Sequence, residues 1–148
     1  MTEIRLITWE NPLWEEIISF AEGCSWKAGP ALAEQMRRRQ FHDWERVCAA
    51  CVDGTPAGFC TFAARDELPE QYDFTPFIGF MFVGEPYRGR RLSERMIEAV
   101  ISYARELGYG KIYVMSGENG LYEKYGFEKI GAYRTIYGWV DQLFVRPI

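Results

Sequence analysis

Histidine is almost absent from the sequence, and its cysteines lack the pattern of a metal site. His42 is the only histidine among 148 residues, which include four cysteines. Cys48 and Cys51 have a Cys-x-x-Cys spacing, but no second cysteine pair accompanies them. The surrounding residues favour a strand, in which positions i and i+3 point to opposite faces. The sequence therefore disfavours a zinc or redox site. It predicts buried free thiols and no bound metal.

Long apolar runs are also missing. Glu3, Arg5 and Glu10 interrupt the N-terminal segment, which disfavours a signal peptide. No stretch approaches the roughly 20 apolar residues that a membrane-spanning helix needs. These two features predict a soluble, cytoplasmic protein.

The sequence has no overall excess of positive charge. Its net charge of −4 disfavours a protein that coats nucleic acid or an anionic membrane. Positive charge is nevertheless concentrated at Arg37–Arg39 and within Arg88–Arg91. Such local concentration in an acidic protein suits a small anionic ligand better than a long polyanion.

Apolar residues, in contrast, are abundant and follow the periods of strands and helices. They make up 48% of the chain, with 16% aromatic residues, which is typical of a folded core. We therefore expect one domain over residues 1–148. The apolar run Phe77–Val83 predicts a buried strand, and the helix and strand after it predict a parallel unit in a mixed sheet. The other predicted strands are Ile4–Thr8, Glu45–Val52, Ala57–Ala64, Lys111–Met115, Glu128–Tyr133 and Trp139–Val145; the predicted helices are Pro12–Ala21, one starting at Gly29-Pro30, Ser93–Leu107 and Leu121–Tyr125.

The segment Arg88–Ser93 follows the buried strand and precedes the longest predicted helix. The first turn of a helix carries unpaired backbone N–H groups and the positive end of the helix dipole. With three arginines nearby, this position favours a bound phosphate-like anion. Gly84 and Pro86 are expected to widen the strand's exit, leaving its last backbone groups free for an extended ligand. A solvated basic turn is the alternative interpretation.

Two segments resemble motifs of the GNAT superfamily of acetyl-CoA-dependent N-acetyltransferases. Val83–Ser93 is similar to motif A, usually written Arg/Gln-x-x-Gly-x-Gly/Ala. Asn119–Phe127, with the sequence NGLYEKYGF, is similar to motif B, in which a tyrosine stands near the cofactor's sulfur. The order of predicted elements is similar over nearly the whole chain. The resemblance implies an α/β (α+β) fold with a mixed central sheet of about six to seven strands flanked by about four helices.

The sequence departs from both motifs. Arg91 and Ser93 stand where motif A has glycine or a small residue, and glycine allows the closest approach of backbone to phosphate. We expect the backbone to hold the phosphates, with the Arg91 guanidinium adding a contact. Met115 stands where many members carry an asparagine, and Asn119 is a candidate to replace it. The cofactor-binding residues implied by the resemblance are Phe82, Val83, Arg88, Gly89, Arg90, Arg91, Leu92, Ser93, Asn119 and Tyr122.

The resemblance implies transfer of an acetyl group from acetyl-CoA to an amine, with Tyr122 as the general acid that protonates the departing thiolate. A packing role for this tyrosine is the alternative. An alkyl amine with a pKa of about 10 must first lose a proton. Glu118 is the leading candidate for the base, while Glu45, Asp73 and ordered water stay open. His42 lacks any indication of its placement.

The acceptor is expected to contact the Cys24–Pro30 segment and the loop Arg65–Thr75. Trp26, Tyr72 and Phe74 are predicted to form an aromatic wall. The loop acids Glu67, Glu70 and Asp73 would attract a cationic amine. Ordinary loop packing is the alternative. A small-molecule amine is the expected acceptor, and neither nucleic acid nor membrane is an expected partner. A protein N-terminus or lysine, and a non-catalytic acyl-CoA-binding domain, are the competing functions; a homodimer would be ordinary for the family.

Overall fold

A computed structural model describes all 148 residues as a mixed sheet with helices on both faces. The strands are β1 (Thr2–Ile7), β2 (Arg46–Val52), β3 (Thr55–Ala63), β4 (Phe77–Val83), β5 (Lys111–Ser116), β6 (Glu128–Arg134) and β7 (Val140–Pro147). The helices are α1 (Leu13–Gly23), α2 (Gly29–Arg37), α3 (Leu92–Glu106) and α4 (Leu121–Lys124), with a short 3₁₀ turn at Glu85–Tyr87.

The seven strands lie in the order β1-β2-β3-β4-β5-β7-β6. Neighbouring strands are antiparallel except for β4 and β5, which run parallel and are connected through α3. This arrangement confirms the predicted α+β fold with a mixed sheet. No helix of the protein is both long and apolar enough to cross a membrane.

Local sequence signals explain where the early elements begin and turn. The Asn11 side chain accepts a hydrogen bond from the Leu13 N–H at 2.9 Å, so it caps the first turn of α1. Asp53 and Gly54 have φ values of 50° and 81°, as a tight hairpin turn between β2 and β3 requires. Helix α1 continues to Gly23, two residues beyond its predicted end at Ala21.

Two hydrophobic layers cover the central strands. Helices α1 and α2 pack on one face, against alternate residues of β2 such as Val47 and Ala49. Helix α3 packs on the other face, against the intervening residues such as Cys48 and Ala50. Cys48, Cys51 and Cys60 are buried and Cys24 is partly buried, all as free thiols, as the strand spacing predicts.

A bulge in β4 opens the centre of the sheet. Phe80 has a φ of 49°, and the register between β3 and β4 shifts beside it. A bulge bends its strand and increases the local twist. Strands β4 and β5 consequently pair only through Phe77–Tyr113 and Ile78–Val114. Beyond that point the two strands separate, and a cleft lies between them.

Candidate active site

The cleft between β4 and β5 has a volume of about 680 Å³. Its walls come from the α1–α2 loop, the loop after β3, the diverging ends of β4 and β5, helix α4 and the β6–β7 turn. Its lining includes Trp26, Lys27, Asp66, Glu67, Phe80, Met81, Met115, Glu118, Tyr122, Tyr137, Trp139 and Asp141. The site therefore combines residues that are far apart in the sequence.

The predicted anion-binding turn lies between β4 and α3. Its backbone N–H groups from Gly89 to Glu94 make no hydrogen bond within the protein, because the first intrahelical bond of α3 is donated by Arg95 to the Arg91 carbonyl. No side chain caps this end of the helix. Six consecutive unpaired donors at a helix N-terminus form a site suited to an anion such as pyrophosphate.

Arg91 adopts the backbone conformation that glycine favours. Its φ and ψ are 60° and 29°, in the left-handed region, and it immediately precedes α3. The turn thus keeps the geometry suited to the glycine of motif A although an arginine occupies the position. The Arg91 side chain is 81% exposed and lies 3.6 Å from Glu94. Arginine adopts this conformation at an energetic cost that glycine would avoid.

The other side chains of the turn make specific contacts. Arg88 donates from Nε to the Val83 carbonyl at 3.0 Å. The Arg90 guanidinium lies 5.6 Å from the centre of the Tyr87 ring. Beyond Ile78, the side of β4 that faces β5 has no strand partner, as expected from the sequence, although the Val83 carbonyl at the end of the strand is taken by Arg88.

Ser93 links the turn to helix α4. Its hydroxyl lies 2.9 Å from the Tyr125 hydroxyl, at hydrogen-bonding distance. Tyr125 directly follows α4, the helix that carries Tyr122. This contact ties the start of α3 to the element that supplies the proposed proton donor.

Tyr122 reaches the cleft from α4 with only 4% of its surface exposed. Its ring packs against Phe127 and Phe144, each with a centroid distance of 5.8 Å. The hydroxyl makes no hydrogen bond to another protein group. Burial raises the pKa of Tyr122, so the phenol is protonated at neutral pH. Tyr122 therefore packs in the hydrophobic core and lines the cleft at the same time.

Glu118 and Asn119 lie in the loop between β5 and α4. Glu118 is exposed at the edge of the cleft, and its backbone carbonyl accepts a hydrogen bond from the Gln142 side chain at 3.1 Å. Asn119 is exposed and is not part of the cleft lining. The structure thus brings Glu118 to the cleft with Tyr122, and leaves Asn119 outside it.

The other two proposed bases lie elsewhere. Glu45 is buried, and its two carboxylate oxygens accept the N–H groups of His42 and Ala64 at 2.6 and 2.7 Å. Glu45 and His42 line a separate cavity of about 370 Å³. Asp73 is exposed in the loop before β4 and is not part of the cleft lining. Glu45 therefore holds two backbone segments together, away from the cleft.

The predicted aromatic wall does not form as a group of three. Trp26 lines the cleft, and its ring stacks on Phe82 with a centroid distance of 6.0 Å and an angle of 2°. Tyr72 and Phe74 instead stack on each other at 6.1 Å and pack against Tyr133. Their loop covers the sheet where no helix does, so these two rings are part of a hydrophobic cluster.

Two of the three carboxylates in the cleft, Asp66 and Asp141, were not selected from the sequence for its chemistry, whereas Glu67 was among the loop acids expected to attract a cationic amine. Asp66 and Glu67 come from the loop after β3, and Asp141 comes from β7. Burial raises the pKa of Asp66 to about 7, helped by the charge of Asp141. Burial, with repulsion from the other two acids, raises the pKa of Glu67 to about 8.

The sequence offered only a weak signal for this group. Asp66 and Glu67 sit in a polar loop with several other acids, and Asp141 lies near the start of a strand, where a charged residue usually faces solvent. Tyr137 and Trp139, which also line the cleft, stack at 5.1 Å while more than half exposed. No group of three or more acidic, histidine or cysteine side chains is arranged to hold a metal ion.

Comparison with known protein families identifies one match. The sequence model of the acetyltransferase (GNAT) family matches residues 6–127, a span that includes both the turn before α3 and Tyr122. No curated protein sequence matches the chain.

Several solved structures have a similar fold. A GNAT-family acetyltransferase from Streptococcus pneumoniae has 16% identity and a TM-score of 0.72, with 100% of each chain covered. The aminoglycoside 6′-N-acetyltransferase from Enterococcus faecium has 15% identity and a TM-score of 0.75, over 98% of this chain and 96% of that one. A GNAT-family acetyltransferase from Elizabethkingia anophelis with acetyl-CoA bound has 16% identity and a TM-score of 0.68, over 99% and 98% of the two chains.

Proposed function

The chain belongs to the acetyltransferase (GNAT) family, and from this premise we propose that it transfers the acetyl group of acetyl-CoA to a primary amine of a small cationic molecule. The observation that carries this proposal is a single cleft that joins a buried tyrosine to a group of carboxylates, with a turn of unpaired N–H groups linked to the tyrosine's helix through the Ser93–Tyr125 contact. The first feature suits a leaving thiolate, the second a cationic amine and the third a pyrophosphate.

Acetyl-CoA would bind from the turn toward the cleft. The N–H groups of Gly89–Glu94 would hold the pyrophosphate, and Arg88, Arg90 and Arg91 would add positive charge. The free edge of β4 at Phe82–Val83 would pair with the amides of the pantetheine arm. This path leads the thioester toward the opening between β4 and β5, where Tyr122 lies.

The transfer proceeds in this proposal by direct attack. The neutral amine's lone pair forms a C–N bond to the thioester carbon, and the carbonyl electrons move onto oxygen. A backbone N–H at the end of β4 stabilises that oxyanion. When the carbonyl re-forms, the C–S bond breaks, its electron pair goes to sulfur, and the thiolate takes a proton from Tyr122. The amide nitrogen loses its remaining extra proton, which restores the tyrosine.

The acceptor class follows from the charge and shape of the cleft. Asp66, Glu67 and Asp141 line it with carboxyl groups, whose ionised form a bound cation would favour, while Trp26 and Trp139 give it aromatic surface. Aromatic rings and carboxylates together favour a compact cation. A structurally similar protein is an aminoglycoside 6′-N-acetyltransferase, whose name states an amine-bearing small molecule as acceptor. Tyr72 and Phe74, which lie outside this cleft, have no part in the proposed acceptor site.

A panel of primary amines tests the proposal. Acetyl-CoA at saturating concentration should raise the melting temperature, and at least one small cationic amine should release free CoA. Activity with peptides and none with small amines would favour a protein acceptor. Binding of acetyl-CoA with no turnover of any amine or peptide would favour a non-catalytic acyl-CoA-binding protein.

The role of Tyr122 needs a substitution that removes only the hydroxyl. Tyr122→Phe should lower kcat by about 10²-fold or more, because general acid catalysis commonly contributes that much. Its affinity for acetyl-CoA should change little. Tyr72→Phe is the matched control, since that ring packs away from the cleft. Full turnover by Tyr122→Phe across the pH range would contradict the acid role.

The kcat of Glu118→Gln tests whether Glu118, which the sequence favoured, acts as the base. Residues 1–148 are proposed to act as one catalytic domain, because all the elements that line the cleft are joined to a single sheet. A cytoplasmic location and a homodimer stay predictions.

A further inference from the structure

The strand nearest the proposed thioester carries no group that can accept a proton. Strand β4 has the sequence FIGFMFV, without a carboxylate or histidine. An amine that arrives as an ammonium ion must nevertheless lose a proton before it attacks. The proton acceptor must therefore come from another element or from water.

Asp66 occupies the space that a side chain on β4 would fill. A Cβ atom built on Gly79 would lie 2.5 Å from the Asp66 Oδ1 atom, closer than a real Cβ could lie. Only glycine at this position lets the carboxylate approach the strand so closely. The loop is held there because the Ile136 N–H donates to the Glu67 carbonyl at 2.8 Å, and because Leu68 is buried. Asp66 is thereby brought against β4 from the loop.

No cation of the protein forms an ion pair with the cleft acids Asp66, Glu67 and Asp141, although Lys27 lines the same cleft. The Glu67 Oε2 atom is buried and accepts no hydrogen bond. A buried carboxylate oxygen without a donor is costly, so an ammonium group in the cleft would satisfy it and balance the charge.

We propose that Asp66 is the catalytic base of the transferase, and that Glu67 and Asp141 hold the acceptor's ammonium group beside it. The inference rests on the proposed function, since it concerns the same cleft. The ammonium group donates its proton to an oxygen of the Asp66 carboxylate, and the N–H electron pair stays on nitrogen. That lone pair then attacks the thioester carbon, and the protonated Asp66 returns its proton to solvent after the product leaves.

The surroundings of Asp66 suit it to this proton transfer near neutral pH. Glu67 adjoins Asp66 in the loop, and Asp141 on β7 is close enough to raise its pKa. The charge of Asp66 in turn helps to raise the pKa of Tyr122 and of Tyr137. Burial is the main cause that raises the pKa of Asp66 to about 7. A base with a pKa near the working pH combines the required ionisation with useful proton affinity.

Glu118 is the competing carboxylate in the same cleft. It is exposed at the rim, where water can solvate its charge fully. Asp66 instead lies against the strand along which the thioester would bind. The two residues therefore predict different outcomes for otherwise similar amide substitutions.

The test compares Asp66→Asn, Glu118→Gln and the exposed control Asp73→Asn. The probes are spermidine and kanamycin as acceptors, with CoA release as the readout. Asp66→Asn should lower kcat by about 10²-fold, while the acetyl-CoA dissociation constant stays within about twofold of wild type. Asp73→Asn should keep near-normal turnover, and Glu118→Gln should lose much less turnover than Asp66→Asn.

The pH dependence of kcat/KM gives a second measurement. A purely structural role of Asp66 would leave the shape of this dependence unchanged. Asp66 acts only as carboxylate, so wild-type kcat/KM should fall as pH drops below about 7. Asp66→Asn should lose that acidic limb. If this variant does not fold, Gly79→Ala offers a second approach, because its methyl group displaces the carboxylate while keeping it in the chain; a comparable loss of kcat is expected.

The outcomes separate the two proposals. Retained turnover with an unchanged acidic limb in Asp66→Asn, or in Gly79→Ala if that is the folded variant, would overturn the base assignment. So would a large loss confined to Glu118→Gln. If wild-type protein binds acetyl-CoA yet acetylates neither these probes nor any amine of the wider panel, the proposed function fails, and the inference fails with it.

Discussion

Replacing Arg91 tests whether the left-handed turn before α3 strains the protein. Arg91 has a φ of 60°, a conformation in which the Cβ atom crowds the following carbonyl oxygen. Arg91→Gly removes both the Cβ and the guanidinium. Arg91→Ala removes the guanidinium and keeps the Cβ. The difference between the two variants therefore isolates the backbone conformation from the charge.

The expected difference can be worked out from two opposing effects. A left-handed conformation costs a non-glycine residue roughly 1–2 kcal/mol. Glycine in turn loses more conformational freedom on folding, which costs about 0.5–1 kcal/mol. The weak, exposed ion pair between Arg91 and Glu94 is lost in both variants and cancels. Arg91→Gly should thus be more stable than Arg91→Ala by about 0.5–1 kcal/mol.

Urea unfolding followed by tryptophan fluorescence measures this difference, because the chain has five tryptophans. In thermal unfolding, the melting temperatures of the two variants should differ by about 1–4 °C for a chain of this size. If Arg91→Gly is no more stable than Arg91→Ala, the strain argument is wrong.

Affinity for acetyl-CoA provides an independent measurement on the same variants. If the Arg91 guanidinium contacts phosphate, both should bind acetyl-CoA more weakly to a similar extent, by about tenfold, or about 1.4 kcal/mol. Undiminished affinity in both would show that the Arg91 guanidinium makes no contact with the phosphates.

Two further substitutions test contacts outside the chemistry. Glu45→Gln should destabilise the protein by about 1–3 kcal/mol, because one of the N–H groups of His42 and Ala64 loses its charged acceptor. Urea unfolding measures this loss. A fall in kcat for the folded variant would instead implicate Glu45 in the reaction. Ser93→Ala should lower the free energy of unfolding by about 0.5–1.5 kcal/mol, because it removes the hydrogen bond to Tyr125. A double-mutant cycle with Tyr125→Phe measures this interaction. Fully additive effects of the two substitutions would show that the hydroxyls do not interact.

Most of the fold was predictable because its signals are local. The apolar run of β4 and the helical spacing of α3 fixed a strand–helix–strand unit, and the observed bounds differ from the predicted ones by only a few residues. Asn11 and the Asp53-Gly54 turn act through neighbours in the sequence, so their roles could be inferred without tertiary contacts.

The turn before α3 and the place of Tyr122 were predictable for the same reason. The unpaired N–H groups of Gly89–Glu94 follow from the start of a helix, and Tyr122 lies in a motif of contiguous residues. The proposed acceptor end depends on long-range packing. Tyr72 and Phe74 are aromatic, as residues of an amine-binding site often are. They nevertheless cover a part of the sheet that no helix covers.

The sequence by itself determined the element order, the family and the turn before α3, because each depends on residues close together in the chain. Tertiary structure alone decided which carboxylates share the cleft. Asp66 reaches β4 because Gly79 leaves room for it, and Asp141 joins it from the end of the chain because β7 lies beside β5. Such proximity arises from sheet topology and burial. The pKa values of Asp66 and Glu67 follow from the same burial, so the composition of their loop could not indicate them.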